Sequence, residues 1–333
     1  MYLRRRRPVG SGIIIIIILA VLAAVIFPVL FARKGKEPES PGEVPALSGG
    51  IDLKIERVGT VNLYIGGKII KMDLEDYVTG VVAAEMPASY EPEALKAQAV
   101  ASRTYAVYQK IHGGCSKHPG ADVCADSLSC QAYLTPQQMA KRWGGSADSN
   151  LAKIRAAVDS TRGQMVYYNG EPIEALYFAS SGGKTEDCAN VFSQSLPYLK
   201  SVESAGEESF SNYYGKVSVS AEEFVSALKE YSPGIKIDKN NIAASVGDIK
   251  RTQSDRVESI RIGNKTFSGK EIRAIFSLNS TNFKVSVSDG VVFETAGFGH
   301  GVGMSQNGAN VMAKNGADYI EILKHYYTGV TVK

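Results

Sequence analysis

The sequence predicts an α+β fold, and three observations carry that prediction. Apolar residues recur at helical spacing before Pro87 and again after Pro92. The turn dipeptides Asn169-Gly170 and Asp289-Gly290 separate strand-like runs. Nowhere do strands and helices alternate with the regular rhythm of a doubly wound sheet. With 333 residues, 44% hydrophobic and 21% charged, the chain is ample for a large core.

The N-terminal 32 residues differ from the rest. Residues 1–12 are short and basic, with Arg4, Arg5, Arg6 and Arg7. Residues 13–32 form an apolar run of 20 residues, the length that crosses roughly 30 Å of hydrocarbon as a helix. A cleaved signal peptide has an apolar core of about 7–15 residues and a small residue where Leu30 stands, so the run reads as an uncleaved transmembrane anchor. Arg33, Lys34 and Lys36 follow it, leaving four basic residues on the near side against three beyond. The expected topology is single-pass, with a cytoplasmic N-terminus and the bulk of the chain extracytoplasmic. Residues 33–50, with Pro38, Pro41 and Pro45, read as a solvated tether. The formal charge of +3 belongs to this leading segment. Residues 1–36 hold seven basic and no acidic residues, leaving 30 basic against 34 acidic after them, a net −4. A nucleic-acid surface therefore has no support.

Residues 51–333 fit one elaborated domain or two packed lobes. Asp73 is placed to cap a helix ending near Glu85, and Pro92 to open a second helix through about Ile111. Strands are expected at Met165–Tyr168 and Ile173–Ala179 around Asn169-Gly170, and on both sides of Gly263-Asn264 and Asp289-Gly290. Ser220 with Glu223 forms a capping box for a helix through Tyr231, and Ser268 or Gly269 leads into a short helix through Phe276. Late helices are expected at Ser305–Lys314 and Asp318–Tyr327.

Glu85 is the first candidate for chemistry. Leu74, Val78 and Val81 form an apolar stripe, and its next step lands on this carboxylate, in the last turn and two residues before Pro87 ends the helix. A half-buried carboxylate resists ionisation and can serve as a general acid; the alternative is an ion-pair partner for the next helix. Lys96, Ala99, Val100 and Arg103 share one face of that helix, so Lys96 or Arg103 could orient Glu85 or bind an anionic substrate group.

Cys115, His118, Cys124 and Cys130 lie within 16 residues, the Cys₃His ligand set of a structural zinc site, with His112 as substitute ligand. Disulfides are the competing reading, as Cys124–Cys130 or Cys115–Cys188. The loop Gly297-Phe298-Gly299-His300-Gly301-Val302-Gly303 lets backbone approach a ligand closely, and His300 within it has a site role. Too few residues follow for a dinucleotide-binding unit. Tyr177, Ser180 and Ser181 enter a small-residue turn suited to hydroxyl contacts with a sugar, or to a turn alone.

Three segments, AAEMPASYEPEALKAQAVASRTYA (83–106), YFASSGGKTED (177–187) and GFGHGVGMSQNGA (297–309), resemble the stage II sporulation protein D family of lytic transglycosylases from endospore-forming bacteria. The resemblance implies cleavage of the MurNAc–GlcNAc β-1,4 bond without water, on peptidoglycan strands stripped of stem peptides, during septal remodelling and forespore engulfment. It puts the catalytic Glu at Glu85. Lys96, Arg103, Tyr177, Ser180, Ser181, His300, Ser305 and Gln306 become substrate or positioning residues. It supports zinc at His118, Cys124 and Cys130, with Cys115 chosen as fourth ligand because Ser129 stands where some relatives have a histidine. It also implies two partners, a sporulation amidase (stage II sporulation protein P) and a membrane protein (stage II sporulation protein M), and a place in the mother-cell septal membrane. A non-catalytic scaffold that recruits or activates an amidase is the alternative.

Overall fold

The computed structural model of the protein describes residues 59–333 except Ser193. The basic segment, anchor and tether expected over 1–50 lie outside the described residues. Among the described residues no helix is long and apolar enough to cross a membrane.

Strands β1 (Thr60–Ile65) and β2 (Lys68–Asp73) form an antiparallel hairpin around Gly66-Gly67. Asp73 ends β2 and caps helix α1 (Leu74–Glu85), its carboxylate accepting from the N–H groups of Glu75 at 2.9 Å and Asp76 at 3.2 Å. Leu74, Tyr77, Val78, Val81 and Val82 are buried, and Met86 leaves the helix extended, as the residue before Pro87 is pushed to do. Helix α2 (Pro92–Ile111) starts on proline; from Ala94 to Val107 every residue but Lys96 is buried. It is an all-round buried helix rather than one with a single apolar stripe.

After β3 (Val123–Cys124), parallel to β1, come helices α3 (Pro136–Trp143) and α4 (Ala147–Ser160), neither expected from apolar spacing. A capping box of Thr135 and Gln138 opens α3. The hairpin at Asn169-Gly170 joins β4 (Val166–Tyr168) to β5 (Glu171–Pro172), a shorter second arm than the expected Ile173–Ala179. The chain then departs to form β6 (Tyr177–Phe178), followed by β7 (Gly183–Lys184), α5 (Cys188–Val191) and β8 (Glu203–Ser204).

Strand β9 (Tyr214–Ser220) passes through the expected Ser220/Glu223 capping box into α6 (Ala221–Tyr231). Helix α7 (Ile242–Ser245) leads to β10 (Val246–Arg251), β11 (Val257–Ile262) and β12 (Lys265–Ser268), one antiparallel sheet turning at Gly263-Asn264. Ser268 caps α8 (Gly269–Ile275), and β13 (Phe283–Val287) and β14 (Gly290–Ala296) pair across the expected turn, with β9 on the far side of β14. The chain ends in β15 (Met304–Ser305), α9 (Gln306–Lys314), α10 (Tyr319–Tyr326) and β16 (Thr331–Val332).

The architecture is thus mixed α+β, as predicted, and its sheets are small. Among the described residues it has two large hydrophobic cores and a small cluster of Cys115, Ala121 and Cys124. The larger surrounds α2, whose Ala94, Ala97, Ala99, Ala101 and Ala106 let α1, α4, α9 and α10 pack closely against it. The second, with Phe224, Ile260, Phe276 and Phe293 inside, is built by residues 217–293 alone.

Candidate active site

Five chain segments converge on Glu85. The backbone N–H of Ala132 donates to its Oε1 at 2.8 Å, and Gln306 Nε2 donates to its Oε2 at 3.3 Å. Gln306 also donates to Gln98 Oε1 of α2 at 3.3 Å, and Gln98 donates to Ser102 Oγ at 2.9 Å. Beside the carboxylate, the Tyr77 hydroxyl donates to Gln131 Oε1 at 2.9 Å, and Gln131 Nε2 donates to Tyr177 Oη at 2.8 Å.

Burial raises the Glu85 carboxyl above the usual glutamate range, against the lowering effect of the Ala132 and Gln306 hydrogen bonds. Among the described residues no ion pair includes Glu85. The ion-pair alternative is therefore overturned, and so is the expectation that Lys96 or Arg103 orients this carboxylate. Arg103 is wholly buried and bound to Glu75, with Nε to Oε1 at 2.9 Å and Nη2 to Oε2 at 2.5 Å; Nη1 donates to Gln164 O at 3.1 Å. Lys96 binds Glu93 at 2.7 Å and lies over the Tyr319 ring. The reason is the packing of helix α2: Lys96 meets Glu93 of its own first turn, Arg103 meets Glu75 of α1, and Gln98 meets Gln306, the side chain that reaches Glu85.

Of the other expected contacts, Gln306 and Tyr177 border Glu85 and the rest hold the frame. Ser180 Oγ, Ser181 Oγ, Ser204 Oγ and Ser305 Oγ all donate to the buried Glu207 carboxylate, at 2.7 to 2.9 Å. Glu207 was not singled out in the sequence, where it stands in an unremarkable polar stretch. Its hydroxyl cluster joins the turn after β6 to the start of α9, and β6 pairs in parallel with β15, bringing Tyr177 beside Met304. Gln306 follows directly and reaches Glu85.

His300 uses both ring nitrogens on backbone. Its Nδ1 accepts from Val302 N–H at 3.1 Å, which leaves Nε2–H to donate to Tyr177 O at 3.1 Å. Burial, joined by Arg273 and Arg256 and opposed by the Tyr177 hydrogen bond, brings its pKa down to about 4, so it is a neutral clamp on β6. The glycines around it meet protein instead of ligand. A β carbon on Gly303 (φ +80°) would fall 2.0 Å from Leu176 O, and one on Gly301 (φ +89°) would fall 2.5 Å from the Arg256 guanidinium carbon.

Cys115, Cys124 and Cys130 place their Sγ atoms within 4.8 Å of one another, a group that could hold a metal ion. All four cysteines are free, and Cys188 sits apart with its thiol donating to Gln194 O, so the Cys115–Cys188 bridge is ruled out. The Cys124 and Cys130 sulfurs are 3.2 Å apart, as thiols. His118 does not join the trio: its ring stacks on Tyr64 with centroids 3.6 Å apart. His112 binds its own helix at Tyr108 O, at 2.8 Å. The expected Cys₃His set is corrected to three thiols, because aromatic stacking holds both imidazoles elsewhere. This donor set suits a thiophilic ion. The cluster's loop runs Cys130-Gln131-Ala132, so the residues that contact Tyr177 and Glu85 follow the third thiol directly.

Residues 66–168 match the family described as "Stage II sporulation protein". The chain is 38% identical over 292 residues to stage II sporulation protein D of Bacillus subtilis, covering 86% of this chain and 82% of that one. It is 39% identical to the protein of the same name from Bacillus amyloliquefaciens, over 78% of this chain and 74% of that one. It is also 30% identical to a Bacillus subtilis protein named "Amidase enhancer", over 76% of this chain and 40% of that one.

Proposed function

Because this chain belongs to the stage II sporulation protein D family, we propose that it is a lytic transglycosylase, cutting the MurNAc–GlcNAc β-1,4 bonds of peptidoglycan with Glu85 as acid and then base. The observation that carries the reading is the environment of Glu85: a half-buried carboxyl with raised pKa, two neutral donors and, among the described residues, no ion-pair partner. Glycosidases that use water need two carboxyls, about 5–5.5 Å or 6.5–9.5 Å apart. One suffices when the nucleophile belongs to the substrate.

In this scheme protonated Glu85 donates to the glycosidic oxygen as the C1–O bond of MurNAc breaks. The resulting carboxylate, stabilised by Ala132 N–H and Gln306 Nε2, takes the proton of the MurNAc C6 hydroxyl as that oxygen closes on C1. The products are a GlcNAc end bearing a free hydroxyl and a 1,6-anhydroMurNAc end. No water is consumed. The intramolecular hydroxyl benefits from a high effective molarity, and the general acid from a pKa nearer the working pH.

Cys115, Cys124 and Cys130 would hold a structural zinc ion, which would fasten the loop that carries Gln131 and Ala132. The remaining expectations belong to the same proposal: preference for strands stripped of stem peptides, an N-terminal membrane anchor, an extracytoplasmic catalytic part, action in engulfment, and the sporulation amidase and membrane protein as partners. A second reading has one observation in its favour, the similarity to the protein named "Amidase enhancer". It makes the chain a peptidoglycan-binding scaffold for an amidase.

Incubation of the purified chain with peptide-free glycan strands separates them. The transglycosylase releases fragments and loses this activity in Glu85→Gln. The scaffold binds strands without turnover, and Glu85→Gln then binds and supports engulfment as the unaltered chain does.

A further inference from the structure

A cavity of about 100 Å³ lies behind the glycine loop, at the seam between the two hydrophobic cores, against about 30 Å³ for one water in the liquid. Arg256, Arg273, Lys270, His300, Glu186 and Glu258 line it. Among the described residues no ion pair closes across it, although Glu186 lies near enough to act on Arg256. Arg256 is buried; Nη2 donates to Ser181 O at 2.7 Å and Nη1 to Ser280 Oγ at 2.9 Å, while Nε has no acceptor among the described residues. Arg273 donates from Nε to Leu278 O at 3.2 Å, and neither guanidinium has a carboxylate within ion-pair distance.

Glu186 is the nearby buried carboxylate, and its oxygens are already taken. Oε1 accepts from Asp187 N–H at 2.8 Å and Asn190 Nδ2 at 2.9 Å; Oε2 accepts from the Thr252 and Ser254 hydroxyls, each at 2.6 Å. Lys270 Nζ is bound to Val191 O. His300 is neutral, and Glu258 is exposed at the rim. Two guanidiniums thus face one cavity with hydrogen-bonding capacity to spare. Burial brings the Arg256 pKa down to about 10, with Glu186 and Glu207 opposing the shift and Arg273 adding to it.

We propose that this cavity binds a small oxyanion, a carboxylate or phosphate group, through Arg273 and Arg256. The volume admits one such group, and the planar fork of a guanidinium matches its oxygens. Two sources share this chemistry: a free anion, and the lactyl carboxylate of MurNAc on a strand without stem peptides. The second source rests on the glycan reading above; the first does not.

The test is a melting titration of the full chain, in detergent, with inorganic phosphate and with acetate, at constant ionic strength set by chloride. The expected result is a saturable rise in Tm, with the apparent Kd at least about tenfold weaker in Arg273→Gln and partly restored in Arg273→Lys. Arg273 is half-buried with one backbone bond, so its variants test the site without removing the buried Arg256. Phosphate and acetate acting no differently from chloride, or an unchanged titration in Arg273→Gln, would overturn the proposal. Peptide-free strands with free or amidated lactyl carboxylates are then added as competitors. Competition by the free form alone assigns the site to the glycan; a saturable titration that neither form disturbs assigns it to a free anion. Absence of glycan cleavage would refute the transglycosylase and leave the phosphate titration standing.

Discussion

Ala132 donates its backbone N–H to Glu85 Oε1 at 2.8 Å, across 47 positions of sequence, and Ala132 stands two residues after Cys130. The carboxylate at the end of α1 is therefore held by the loop that the three thiols gather.

Removing a metal from that loop should loosen it before it alters any bond-making group. A strong chelator is expected to lower the melting temperature of the purified chain by several degrees, with recovery on adding zinc, because a structural metal's binding energy is folding energy. Cys124→Ser should melt low with or without chelator. A melting curve indifferent to chelator in a preparation shown by metal analysis to contain zinc would place the ion elsewhere.

Glu85 gives a pH signature with a definite sign. Its carboxyl is raised in the folded chain, chiefly by burial, so the unfolded chain ionises first as pH rises. The stability contribution is full below the ordinary glutamate pKa and is lost as pH climbs through the higher folded value. Glu85→Gln should therefore melt above the unaltered chain at neutral pH, the gap closing below about pH 4, near the ordinary Glu pKa. Equal melting at pH 7 and pH 4 would contradict the shift.

Arg103 and Glu75 form a buried pair, so truncating one partner strands the other. Arg103→Ala is expected to cost about 3–5 kcal/mol by denaturant unfolding, and Arg103→Leu with Glu75→Leu together much less. The folded fraction of either variant should keep the substrate KM of the parent. A large rise in KM with unchanged stability would return Arg103 to the binding site.

Glu207 accepts from four serine hydroxyls and the Ser181 N–H. Glu207→Ala leaves those buried donors without an acceptor and should destabilise by roughly 3 kcal/mol or more. Because Ser305 is among them, kcat should fall as well, through the displaced Gln306. Unchanged unfolding and unchanged kcat would show that the cluster is dispensable.

Much of this was legible in the sequence where local chemistry decides the outcome. Asp73, Ser220 and Ser268 cap helices, and Asn169-Gly170, Gly263-Asn264 and Asp289-Gly290 turn strands, as their residue types require. Glu85 stood out because Pro87 fixes where its helix ends. What stayed hidden depends on partners far along the chain. Arg103 and Gln98 share α2, and only long-range packing decides that Arg103 meets Glu75 while Gln98 meets Gln306, which in turn reaches Glu85. His118 has the spacing of a metal ligand but stacks on Tyr64, 54 residues before it. Glu207 has no local pattern at all; its role arises from four serines in three separate segments.

The central claim is that Glu85 is both acid and base in a cleavage without water. Mass spectrometry of products from peptide-free glycan strands, digested in ¹⁸O-labelled water, tests it most directly. The account predicts 1,6-anhydroMurNAc ends free of ¹⁸O, and a rate about 10²–10⁴-fold lower in Glu85→Gln. Reducing ends that carry ¹⁸O, or an undiminished rate in Glu85→Gln, would contradict it.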